Sequence, residues 1–135
     1  MNNKEINQFR KVKSNFSVAF LFLNKPKRLD LINLYLFCRI LDDITDSNIP
    51  LDEKRKELDT WKDLIDKIYR DLKAHNTSIG DLILKYKIKK EYIESLFDGM
   101  YSDLNSKKIE TFEDLDKYCY NVAGVVGILS LYIFD

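Results

Sequence analysis

The chain has 135 residues, 45% hydrophobic and 33% charged, enough to bury one core and too few to need dividing, so residues 1–135 are expected to form a single domain. Its 22 basic residues balance 22 acidic ones, so no net field draws it to nucleic acid or anionic lipid, and an anionic ligand would have to be held by local groups. With only 4 glycines, 2 prolines and no repeated window, solenoids and β-rich folds lose support and an all-α fold of about six helices is expected.

The polar start "MNNKEINQFRKVK" has no small-residue cleavage site after it and does not read as a secretory signal. Ser14 to Leu23 form a short apolar segment closed by "NKPKR", where Pro26 is placed to open a helix running to about Asp46. The apolar positions of that helix cover more than one face, as in a helix surrounded by others. From Leu51, the spacing Leu58, Trp61, Ile65, Ile68, Leu72 predicts an amphipathic helix. "AHNTSIG" reads as a loop, "DLILKYK" as a short helix and "KKEYIESLFDGMYSDLNS" as another. Gly99 inside that last helix costs about 1 kcal/mol relative to alanine, a reason to expect a close approach by another backbone or a ligand.

Thr111 with Asp114 three residues later resembles an N-terminal cap, and the final helix then runs to the end of the chain. Its uncharged run, Tyr118 to Phe134, is 17 residues long and predicts a core helix buried on most sides, with a membrane span as the alternative. It stops without a cap or polar tail, so the fold is expected to continue beyond it. Cys38 and Cys119 both lie in apolar runs, which predicts buried thiols in a reducing compartment and no disulfide.

The chemistry concentrates in "FCRILDDITD". Asp42 and Asp46 are four apart and project from one face at about 100° per residue; Arg39 shares that face, and Asp43 is turned away from it. One guanidinium cannot neutralise two or three carboxylates. Magnesium can, since it is held by one or two carboxylates, waters and the oxygens of a substrate phosphate, and Arg39 could donate to such a phosphate. The alternative is a set of charges at the solvated end of a helix. Asp98 and Asp103, about 140° apart on a helix, are poor partners for one ion and read as surface or loop residues. His75 stands alone in a polar loop. Tyr118 and Tyr120, with the small side chains that follow, suit either core packing or a hydrocarbon tail with a polar end. No Gly-rich phosphate loop, Ser/His/Asp set or aromatic-basic RNA surface is present.

Four blocks in this order, "SNFSVAFLFLNKPKR", "LYLFCRILDDITD", "DGMYSDL" and "YCYNVAGVVG", resemble the squalene and phytoene synthase family, which joins two prenyl diphosphates head to head. The resemblance implies an isoprenoid synthase helical fold and Mg2+ bound by Asp42 and Asp46, with Asp43 adjoining. It implies diphosphate contacts from Arg39, Ser14 and Asn15, where asparagine stands in place of the usual serine. Tyr118 would act with Arg39 in catalysis, near the reacting carbons, and Phe16, Tyr35, Val122, Ala123, Val126 and Gly127 would line the tail pocket. The implied reaction ionises one allylic diphosphate, forms a cyclopropylcarbinyl diphosphate with the second, and rearranges it, with NADPH used only in the squalene branch of isoprenoid and carotenoid biosynthesis.

The family's second aspartate-rich motif, roughly NxxRDxxED, does not occur in this sequence. The expectation is therefore the N-terminal half of a synthase, inactive alone, working in the cytoplasm at the membrane surface as a peripheral protein. A non-catalytic relative kept for binding or assembly is the alternative, and a ligand-free helical bundle a third. Substrates of fifteen or twenty carbons fit alike, as do squalene, dehydrosqualene, phytoene or hopanoid-precursor products.

Overall fold

A computed structural model describes residues 23–71, 77–105 and 110–134. Among them the chain is all helical. Helix α1 spans Lys25–Asp46, α2 Leu51–Arg70, α3 Ser78–Tyr86, α4 Lys90–Leu104, α5 Phe112–Cys119 and α6 Val125–Phe134. A π-helical turn, Tyr120–Gly124, joins α5 to α6, so that Phe112–Phe134 is one rod. The predicted segment Ser14 to Leu23 lies outside the described residues except for Leu23, which is buried.

Local signals account for the helix ends. Asn24 caps α1 by accepting the Lys27 N–H at 3.0 Å, and Pro26 occupies the first turn, where a missing N–H costs nothing. Helix α2 follows Pro50, with Asp52 and Glu53 in its first turn and Lys67 and Arg70 in its last, matching the helix dipole at both ends. Thr77 caps α3, which ends at Lys87 in the left-handed region with φ 52°. The predicted Thr111 cap is a full capping box: Asp114 N–H donates to the Thr111 hydroxyl, and the Asp114 carboxylate accepts from the Thr111 N–H.

Helix α1 is central, touching α2, α3, α4 and α6, as its many-sided apolar pattern predicts. It buries Leu34, Phe37, Cys38, Leu41 and Ile44, although Leu29 and Ile40 remain exposed. Phe37 sits edge-on to Trp61 of α2 at 5.8 Å and 6.4 Å from Phe97 of α4, so one aromatic cluster ties three helices together. Lys62 and Lys90 both reach Asp66 at 3.1 Å, linking α2 to α4, and Asp30 of α1 accepts from Lys85 and Tyr86 at the end of α3.

The final helix departs from expectation. Rather than being buried on most sides, it buries one face, Asn121, Val125, Leu129 and Ile133, against α4 and α1, while Tyr120 and Leu131 are exposed. The helix is long and apolar enough to cross a membrane, yet that one face is part of the core. The described helices pack on only one side of it, which also corrects the reading of Cys119: Cys38 is buried and Cys119 is exposed.

Candidate functional site

The last two turns of α1 present Arg39, Asp42, Asp43 and Asp46. All three carboxylates are exposed, in agreement with a solvated helix end, so the full cost of burying charge does not apply. The helix end is nonetheless well held. Thr45 and Ser47 hydroxyls donate to the carbonyls of Asp42 and Ile44, and Lys54 of α2 donates to the Thr45 carbonyl at 2.8 Å. Arg39 pairs with Asp43, Nε to Oδ1 at 3.0 Å, and its guanidinium also interacts with Tyr35. Asp43 thus neutralises Arg39, and Asp42 and Asp46 are left as the carboxylates on the adjoining face.

The same stretch of α2 braces the end of α4. Arg55 donates to Asn105 at 2.7 Å and the Tyr101 hydroxyl donates to Asp59, so the first turns of α2 grip the C-terminal ends of both α1 and α4. That shared brace brings Asp103 of α4 within electrostatic reach of Asp42. Loss of water contact raises the Asp42 carboxyl above its ordinary value; repulsion from Asp46, Asp43 and Asp103 adds to the rise, and Arg39 opposes it. A cation between these groups would relieve the repulsion.

The final helix supplies the remaining side. A Cβ built on Gly99 would lie 2.9 Å from Val122 Cγ1 and 3.1 Å from Asn121 Cβ, so the close approach predicted at Gly99 is made by the π turn itself. Asp103 lies one turn along α4 from that approach and Tyr118 one turn back along the final helix, which puts the Asp103 carboxylate within electrostatic reach of the Tyr118 hydroxyl. Tyr118 is raised first by this carboxylate acting as hydrogen-bond acceptor, then by burial, with Asp42 contributing at longer range. Asp103 is exposed, as its reading as a surface residue expects, but that reading missed its electrostatic influence on Asp42 and Tyr118. Its relation to Asp98 along one helix was the wrong comparison, because its partners lie on other helices.

Other predicted positions are distributed as follows. Tyr118, Val122 and Val126 recur every four residues and are all half-buried, with Val126 packed on the core; Ala123 and Gly127 are exposed on the neighbouring face. Tyr35 is half-buried beside Arg39. Ser14, Asn15, Phe16 and His75 lie outside the described residues. Among the described residues no group of three or more Asp, Glu, His or Cys could hold a metal ion by itself. The donor set still fits magnesium, which takes one or two protein carboxylates and completes its shell with water and phosphate oxygen.

Comparison with known sequences decides the relationship: the squalene/phytoene synthase family profile matches residues 9–135. The chain belongs to the squalene/phytoene synthase family. It is 34% identical over 123 residues to a presqualene diphosphate synthase of Rhodopseudomonas palustris, covering 90% of this chain and 44% of that protein. A presqualene diphosphate synthase of Sinorhizobium fredii is 32% identical over 130 residues, with the same two coverages. A 15-cis-phytoene synthase of Synechococcus elongatus is 26% identical over 117 residues, covering 85% of this chain and 38% of that protein. The chain thus spans less than half the length of these family members. No solved structure matches it.

Proposed function

We propose that the chain carries the first aspartate motif of a head-to-head prenyl diphosphate synthase, with Asp42 and Asp46 holding magnesium against a substrate diphosphate. The observation that carries this is the approach of Asp42, Asp103 and Tyr118 from three helices, with Asp42 raised first by loss of water and then by the neighbouring carboxylates. Bound there, magnesium would neutralise charge on the departing diphosphate. Arg39 would exchange its contact with Asp43 for a phosphate oxygen, and Asp43 would remain beside the ion. Tyr118, Val122 and Val126 would lie along the hydrocarbon tail with Tyr35, and the family resemblance alone assigns Phe16 to the tail and Ser14 and Asn15 to the diphosphate.

The substrate we favour is the fifteen-carbon farnesyl diphosphate, two of which give a cyclopropylcarbinyl diphosphate. The support is the higher identity to presqualene diphosphate synthases than to phytoene synthases. Turnover needs a second carboxylate wall that this sequence does not contain, so the chain alone should bind and not turn over. NADPH enters only if the product is reduced to squalene, and work at the cytoplasmic membrane surface follows from so apolar a product.

Calorimetric titration with farnesyl diphosphate tests the site: binding is expected with magnesium, and loss of it without magnesium or in an Asp42→Ala, Asp46→Ala double variant. Wild-type chain that binds nothing would overturn the proposal. The second reading is a non-catalytic binding or assembly protein that keeps the family fold. Joining the chain to the remaining part of the Rhodopseudomonas relative separates the two. Diphosphate release would favour the enzyme, whereas a folded, magnesium-binding and inert chimera would favour the second reading.

A further inference from the structure

In the π turn of the final helix the Val125 N–H donates to the Tyr120 carbonyl, five residues back, and passes over the Asn121 carbonyl that an α-helix would use. The rod therefore absorbs one residue more than an unbroken α-helix, and the register this imposes can be counted. Val126 follows Tyr118 by eight residues, which in an unbroken α-helix is about 800°, or about 80° beyond two full turns. With one residue absorbed by the π turn the interval behaves as seven, about 700°, and the two side chains fall within about 20° of one row. Tyr118, Val122 and Val126 are accordingly all half-buried, whereas Cys119, which an unbroken helix would align with Val126, is exposed. The turn is pressed on by α4: Val122 Cγ1 and Asn121 Cβ lie 2.9 and 3.1 Å from a Cβ built on Gly99. Val125, Leu129 and Ile133 anchor α6, while α5 buries none of its residues, so the turn sets the rotation of α5. A π turn inside a long helix is also a frequent mark of a functional position.

We propose that the π turn is a positioning element: it selects Tyr118, and not its neighbour Cys119, for the row formed with Val122 and Val126. The choice matters chemically. A phenol offers an apolar ring to a hydrocarbon tail and a hydroxyl at its polar end, whereas a thiol is a small apolar group with a weak donor and would leave the row one ring shorter. The register has two consequences of opposite sense. Removal of one residue from the turn lets a plain α-helix keep the same row, because Tyr118 then stands seven residues from Val126 in fact. Addition of one residue, with the turn held by α4, puts Cys119 on the row instead. The functional half of this inference rests on the proposed prenyl diphosphate site, with this row along the tail; the register itself does not.

Through-hydrogen-bond NMR couplings in the wild-type chain test the register directly. A coupling from the Val125 N–H to the Tyr120 carbonyl carbon is expected, and one to the Asn121 carbonyl carbon in its place would overturn the proposal. Cys119 then reports the row in two variants treated with iodoacetamide at pH 8. A chain lacking Gly124 should alkylate Cys119 as fast as the wild type, and a chain with one alanine added between Ala123 and Gly124 should alkylate it about tenfold more slowly. Equal rates in all three chains would overturn the proposal. For the functional half, calorimetry with farnesyl diphosphate and magnesium should show binding by the wild type and the Gly124 deletion. Binding by the insertion variant should be about tenfold weaker, as a ring contact is lost, and should recover when that variant also carries Tyr118→Ala and Cys119→Tyr. An insertion variant that binds as tightly as the wild type would overturn this inference alone. A wild-type chain that binds nothing overturns the magnesium-diphosphate reading, and the couplings and the Cys119 rates still decide the register.

Discussion

At the residue scale, two groups report on the site without substrate. Burial, and after it the charge of Asp42, pushes the Cys38 thiol up to about 12, whereas Cys119 is exposed. Iodoacetamide at pH 8 should therefore alkylate Cys119 in native chain and spare Cys38 until denaturant is added, a difference read by peptide mass spectrometry. For Asp42 the sign is the opposite of an ordinary paired carboxylate. Its folded-state pKa lies above the unfolded value, so its contribution is favourable below the ordinary carboxylate range and is lost as pH rises through the folded pKa. At neutral pH its charge works against the fold. Asp42→Asn should raise the melting temperature at pH 7 by about 1–3 °C, the scale of a solvent-screened surface charge. The gain should vanish near pH 3, where wild-type Asp42 is itself protonated. Melting curves at the two pH values check both parts, and a lower melting temperature at pH 7 would contradict the crowding argument.

At the element scale, helix capping offers a sharp case. Lys87 ends α3 at φ 52° with its N–H on the Ile83 carbonyl, a conformation that costs a side-chain-bearing residue about 1–2 kcal/mol. Lys87→Gly relieves that strain and should stabilise the chain by about 1 kcal/mol after the unfolded-state entropy of glycine is counted, measured by urea unfolding. Most of the helices are legible in the sequence because each leaves a local mark: Pro26 in a first turn, the Leu58 to Ile68 period, and Thr111 with Asp114. The pairing of Asp42 and Asp46 on one face is legible for the same reason. What local spacing does not carry is a partner on another helix. Asp103 looks idle beside Asp98 and becomes meaningful only when the brace from α2 and the Gly99 approach set it against Asp42 and Tyr118. Arg39 had two acceptors within one turn, and its rotamer took Asp43. The π turn over "YNVAG" has no hydrophobic period of its own, so nothing in the sequence separates it from ordinary helix.

At the scale of the whole molecule, the core and the surface of the final helix pull in different directions. Val125, Leu129 and Ile133 are fully buried, which anchors the helix to α1 and α4. On another face Tyr120, Ala123, Gly127 and Leu131 recur at three- and four-residue intervals and are exposed, Leu131 by 58%. An apolar stripe of this kind favours association, and charge repulsion does little to oppose it near the sequence pI of 6.6. Concentrated chain should therefore self-associate most strongly around that pH and least at pH 9. Leu131→Lys adds a charge in the middle of the stripe without touching the buried face, so helical content should be retained. In sedimentation velocity at pH 6.6 the variant should stay monomeric at concentrations where the wild type does not. Equal association of the two would mean that the contact is made elsewhere, because a lysine in an apolar interface must either lose its water or break the packing around it.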